Sequence, residues 1–160
     1  IDVQKRVFKK ILQICASSGG RILSIHSRGA ANDVLDELEV HPDSGKHGTQ
    51  FVPPSWSVLK RAIDIGCWFS VSPAMLRSKK GSEITSRIPR DKILTESDGP
   101  FAKMNKKSLT PMDMPKAVEI LAQLWREPIA AVNDRLLNSF RNLLADWNVK
   151  QQVSGLHSWQ

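Results

Sequence analysis

Four times in the first hundred residues a short apolar run alternates with a stretch of helical spacing, and that rhythm restricts the fold more than any other feature. Val3, Val7, Phe8, Ile11, Leu12 and Cys15 recur at helical intervals until Ser17-Ser-Gly-Gly20, a helix stop followed by a turn. A strand is expected from Arg21 to His26, then a helix carrying Ala31, Val34, Leu35 and Leu38, which His41-Pro-Asp-Ser-Gly45 breaks. The second strand is expected near residues 48–52, where Pro53 and Pro54 cut it short. A helix over 57–65, a strand over 67–71, a helix over 81–87 and a strand over 92–96 complete the series. Strand and helix in strict alternation build right-handed βαβ units around a parallel sheet buried on both faces.

Two of these runs end in ligand-type side chains. Arg21-Ile-Leu-Ser-Ile25 leads into His26-Ser-Arg28, and Lys92-Ile-Leu-Thr-Glu96 leads into Ser-Asp98-Gly-Pro100. Strands that deliver a His and an Asp at their carboxyl ends are how a parallel α/β barrel gathers metal ligands from distant parts of a chain, so the arrangement points to a metallohydrolase. A closed eight-stranded barrel takes about 200 residues or more. The expectation is therefore α/β: four βα units, the C-terminal half of a TIM-like (β/α)₈ barrel, with the other half on another polypeptide, in a dimer partner, or lost by truncation.

With 160 residues and 41% hydrophobic content, the chain suffices for one core and is short for two ordinary domains. Two cysteines, Cys15 in a helical pattern and Cys67 in an apolar run, make a poor disulfide framework; with no leader-like start, the expected compartment is the reducing cytoplasm. No apolar run approaches the roughly 20 residues that span a bilayer, so no membrane partner is expected. The net charge of +7 favours an anionic partner such as nucleic acid. Beyond Pro100 a long loop over 101–111 precedes two packing helices. The first has Asp113 at its cap and Pro115 in its first turn; the second begins behind Pro128. Residues 1–149 are expected to form the folded part and 150–160 a tail.

The wording of the segments resembles a family. Ile22-Leu-Ser-Ile-His-Ser-Arg-Gly-Ala30, Gly66-Cys-Trp-Phe-Ser-Val71 with Pro73, Ile88-Pro-Arg-Asp-Lys-Ile-Leu-Thr-Glu-Ser-Asp-Gly-Pro-Phe101 and Asn138-Ser-Phe-Arg-Asn-Leu-Leu144 are similar to the last four strands and last helix of TatD-family metal-dependent DNases. Within it, the Gly-Cys-Trp-Phe-Ser-Val and Ser-Asp-Gly-Pro-Phe versions most resemble the TatD-like nuclease of the Qat anti-phage defence system. The resemblance implies a (β/α)₈ barrel whose mouth holds divalent metal (Mg, Mn or Zn), two ions in an intact member, for hydrolysis of DNA phosphodiesters. It puts His26 in the place of a metal-binding imidazole and Asp98 in that of the aspartate that binds metal and handles the nucleophilic water. Arg28 matches an arginine beside the site, a fork suited to phosphate. Glu96, two residues before Asp98, would share its face on a strand and orient the ligands.

The same resemblance implies ligands that this chain does not show. The family's His-x-His pair and a glutamate belong to the other half of the barrel, and a further histidine is expected in a segment where this chain reads Lys46-His-Gly-Thr-Gln-Phe-Val-Pro-Pro-Ser-Trp-Ser-Val58. Counting from the flanks puts that histidine at Gln50, while His47 lies three residues early and so on the opposite strand face. Two compensating reading-frame shifts or a sequence error within residues 47–58 would produce such a stretch.

Each residue has a plainer explanation. His26 can be a hydrogen-bonded core histidine, Asp98 before Gly-Pro a turn former, Glu96 an ion-pair partner, and His41 and His157 belong to a loop and a tail. Ser70 and Ser72 lack a Gly-x-Ser-x-Gly elbow and read as packing or hydrogen-bonding residues. Arg77, Lys79 and Lys80 follow one strand; Lys103, Lys106 and Lys107 follow another, which in a barrel makes either a DNA-backbone rim or a solvated surface. Three outcomes stay open: a nuclease half inactive alone, a degenerate module binding nucleic acid or defence-system proteins, and a half-barrel that pairs with a complementary subunit or with itself.

Overall fold

The computed structural model describes residues 2–27, 29–50 and 55–155. Two compact units divide the chain: Ile1–Cys67 with Arg141–Gln160, and Trp68–Phe140.

In the first unit, α1 (Asp2–Ser17) leads into β1 (Arg21–His26), α2 (Ala31–Val40), β2 (Gly45–Gln50) and α3 (Trp56–Asp64). β1 and β2 run parallel, pairing Arg21 with Gly45 through to His26 with Gln50. β2 therefore starts three residues earlier than the expected 48–52, and residues 51–54, including the predicted break at Pro53 and Pro54, lie outside the described residues. The early start comes from Gly45. Its φ of 125° and the Arg21 backbone, which a β-carbon at 45 would overlap, admit glycine alone at the first rung. Leu12, Leu35, Leu38, Leu59 and Ala62 are fully or nearly buried here. α1 departs from the expected apolar face. Leu12 and Cys15 are buried, but Val3, Val7, Ile11 and Ile14 are exposed, because α1 carries two apolar seams and only one meets the described core.

The second unit holds β3 (Trp68–Val71), α4 (Pro73–Arg77), α5 (Lys79–Thr85), β4 (Ile93–Thr95), the short strands β5 (Lys103–Met104) and β6 (Lys107–Ser108), and α6 (Met114–Trp125). β3 and β4 are parallel, with Phe69 opposite Ile93 and Val71 opposite Thr95. The helix expected at 81–87 is α5, set two residues earlier at each end, and a second short helix that was not expected, α4, precedes it. Ser72 caps α4, accepting from the Met75 N–H at 3.2 Å with Pro73 behind it, and Ser78 caps α5 through the Gly81 N–H at 3.0 Å. Ser72 is thus a helix cap. The cap expected of Asp113 is also different: its carboxylate accepts from the Thr110 N–H and hydroxyl and from Lys116, closing a capping box around a 3₁₀ turn ahead of α6. Those donors, Lys116 first, hold its pKa down at about 2.

α7 (Ile129–Gly155) begins behind Pro128 and continues past residue 150, into the stretch expected to be a tail. Residues 156–160, with His157, lie outside the described residues. Both cysteines are buried thiols, and burial pushes Cys67 up to about 12. No helix among the described residues is long and apolar enough to cross a membrane.

Candidate active site

His26 is the last residue of β1. Along this strand Ile25 and the following Ser27 are buried while Ser24 and His26 are exposed, so the pleat turns the imidazole to the open face. Its partner across the ladder is Gln50, the position that counting along the sequence reserves for a histidine. His47 pairs with Leu23, an odd step from His26 and so on the reverse face, as the three-residue offset requires. There it is buried, with Nε2 2.9 Å from the Ser44 Oγ. The Ser44 hydroxyl spends its proton on the His41 carbonyl at 2.7 Å, so the His47 Nε2–H is the donor in this pair. Burial drives the His47 pKa down to about 4, which keeps the ring neutral. His47 is a structural residue.

At the carboxyl end of β1 a cavity of about 440 Å³ opens between α1 and α2, lined by His26, Ser27, Lys5, Asp33 and Glu37 among others. Lys5 and Asp33 pair at 2.7 Å across it, and that carboxylate raises the Lys5 pKa. The Ser27 Oγ is buried with no hydrogen-bond partner among the described residues. Arg28, the candidate phosphate clamp, lies outside the described residues.

The second candidate strand ends sooner than expected. β4 stops at Thr95; the Glu96 N–H adds one more bond to β3, to the Val71 carbonyl at 3.0 Å, and the chain then leaves the ladder. Asp98 has φ 50°, a left-handed conformation that Asp tolerates better than most residues. The inference that Glu96 and Asp98 share a face needs an unbroken extended strand, so pleat alternation does not relate these two side chains. What holds the half-buried Asp98 instead is a turn: the Ala102 N–H donates to its carbonyl at 2.7 Å, and the Leu109 N–H donates to the Ala102 carbonyl at 2.9 Å. Gly99 lies so close to the Leu109 carbonyl that a β-carbon would overlap it.

The stretch read as a loop over 101–111 contains a β-hairpin. Lys103 pairs with Ser108 and Met104 with Lys107, and φ values of 51° at Asn105 and 64° at Lys106 make the tip a primed turn. Asn105 is the legible signal for it. Lys103, Lys106 and Lys107 are exposed, as are Arg77, Lys79 and Lys80 at the end of α4 and start of α5; α4 lies against β5. Among the described residues no group of three His, Cys, Asp or Glu side chains is placed to hold a metal ion.

The family model for TatD related DNase matches residues 1–145. A Vairimorpha ceranae protein described as a homolog of the deoxyribonuclease TATDN1 is 26% identical over 162 residues, covering 91% of this chain and 60% of the relative. Deoxyribonuclease Tat-D of Schizosaccharomyces pombe is 31% identical over 108 residues, covering 64% of this chain and 33% of that one. Among solved structures, an uncharacterized amidohydrolase from Saccharomyces cerevisiae shares the fold with a TM-score of 0.77 at 15% identity, over 89% of this chain and 59% of its own. The chain thus spans no more than about 60% of the length of these proteins. With a family model matched over residues 1–145 of 160, the chain belongs to the TatD-related DNase family.

Proposed function

We propose that this chain is the C-terminal part of a metal-dependent deoxyribonuclease that hydrolyses DNA phosphodiesters, and that by itself it is inactive or nearly so. The observation that carries the reading is that His26 ends a parallel strand and Asp98 follows one within three residues, in a chain matching the family over residues 1–145. His26 and Asp98 would be the ligands this chain offers a divalent metal, which would supply water activation; Arg28 would clamp phosphate and Glu96 would orient the ligands. The described residues do not fit a complete shell for Mg²⁺, Mn²⁺ or Zn²⁺, since no three ligand-type side chains converge among them. A complementary half-barrel completes it, on another chain or in a longer form of this one.

A second reading has its own observation. Gln50 occupies the ladder position beside His26 where the family resemblance calls for histidine. That favours a catalytically degenerate module that grips nucleic acid or partner proteins, in the setting of a Qat-like anti-phage system. Titration of the chain with Mn²⁺ separates the two. The nuclease reading expects uptake lost in His26→Ala and Asp98→Ala, and an affinity gain of roughly tenfold in Gln50→His, on the scale by which changes around a metal shell alter affinity. No uptake in either the natural chain or Gln50→His leaves the module. DNA cleavage by residues 1–160 alone at the rate of an intact enzyme, abolished by Asp98→Asn, would overturn the incompleteness of the site.

A further inference from the structure

Phe101 is 85% exposed, an unusual position for a large aromatic side chain, and it stands three residues from Asp98 inside the turn that holds it. The Asp98–Ala102 hydrogen bond, the Ala102–Leu109 hydrogen bond and the tight Gly99–Leu109 approach join Asp98, Phe101 and the β5–β6 hairpin into one piece of backbone. That hairpin presents Lys103, Lys106 and Lys107 to solvent, and residues 99–112 hold no acidic side chain. α4, whose end leads into exposed Arg77, Lys79 and Lys80, lies against β5 and extends the same positive surface.

We propose that this piece is a strand grip: Phe101 is a stacking platform for an unpaired base of the nucleic acid whose phosphodiester reaches Asp98, and the hairpin lysines hold the flanking phosphates. A ring with one free face beside a row of ammonium groups is the combination that single-stranded nucleic acid selects, because every base offers a π-face and every nucleotide a charge. A protein partner would be recognised by the apolar ring; the lysines around it match a polyanion better. The hairpin's primed turn and its bond to Ala102 fix the lysines relative to Asp98, so the grip sets the register of the bound strand at the reacting phosphate.

The proposal rests on the nucleic-acid reading above but on none of its metal chemistry, so its test is a binding measurement in EDTA. Fluorescence anisotropy of the chain with a labelled oligothymidylate is expected to show roughly tenfold weaker binding for Phe101→Ala and near-natural binding for Phe101→Trp. Binding to a blunt duplex should change little in either. Replacing Lys103, Lys106 and Lys107 together by Gln should lower the slope of log affinity against log salt by about 2 to 3, at roughly 0.7 to 0.9 for each phosphate no longer neutralised. The same number of charges removed on α1, at Arg6, Lys9 and Lys10, should leave that slope nearly unchanged. Unchanged affinity in Phe101→Ala, equal losses on duplex and single strand, equal slopes in the two triple variants, or no oligonucleotide binding at all would each overturn the grip. The two proposals fail separately: metal uptake dependent on His26 and Asp98 with a silent Phe101 removes only this one.

Discussion

At the carboxyl end of β1, His26 is still a rung of the parallel ladder, opposite Gln50, whereas at the carboxyl end of β4 the ladder has stopped before Asp98 is reached. In sequence the two segments look alike, each an apolar run ending in a ligand-type residue. In the structure the first side chain is aimed by strand pleat and the second by a left-handed turn bonded to a hairpin. The first device depends on register between two strands; the second is local and carries its own supports. A shift of one residue would reverse His26, yet it would not by itself disturb Asp98.

This contrast is sharpest at two glycines. Gly45→Ala should be the more damaging of the two, since its β-carbon would overlap the Arg21 backbone on the first rung of β1–β2 and its φ of 125° excludes alanine. A loss of about 3 kcal/mol or more is expected in urea unfolding. Gly99→Ala instead presses on the Leu109 carbonyl and should loosen the hairpin, at about 1–3 kcal/mol, with oligonucleotide affinity falling further than stability. Equal unfolding by both would erase the distinction between ladder and turn.

Next in size is a pH effect confined to the β1–β2 pair. The His47 pKa is about 4 in the folded protein against an ordinary 6.5, so the unfolded chain takes up the proton first. Its contribution is complete above pH 6.5 and is lost as pH falls through the window from 6.5 to 4, by at most about 3 kcal/mol. Urea unfolding from pH 7 to pH 4 should show that slope, and His47→Leu should flatten it. A slope that survives the substitution assigns the acid sensitivity elsewhere.

The smallest expected effect lies under the β3–β4 pair, where the Lys92 ammonium sits 4.4 Å from the centre of the buried Trp68 ring. Lys92→Met keeps the stem and removes the charge, and should cost about 1 kcal/mol in thermal unfolding. No change would mean that the ring and the aliphatic stem alone hold that end of β4.

Much of the fold is legible in residue order. The bounds of β1, the parallel pairing, the helix behind Pro128 and the assignment of His47 to the wrong face all follow from periodicity, stop signals and counting. The misses share a cause. The early start of β2, the additional helix Pro73–Arg77 ahead of α5 and the hairpin over 103–108 turn on single positions, at Gly45, at the Ser72 and Ser78 caps, and at Asn105 and Lys106. Hydrophobic spacing does not register such positions, because they carry no apolar period.

Sequence alone determined that the chain alternates strand and helix, that its apolar runs deliver His26 and Asp98 near strand ends, and that its surface is positive, since spacing and charge are properties of residue order. Only the tertiary structure decided that Gln50 stands beside His26, that Asp98 is held by a turn and not by a strand, and that Phe101 stays exposed on a basic hairpin. The first is a relation between residues distant in sequence; the other two turn on a backbone angle and an exposure that carry no apolar period, so hydrophobic spacing does not register them.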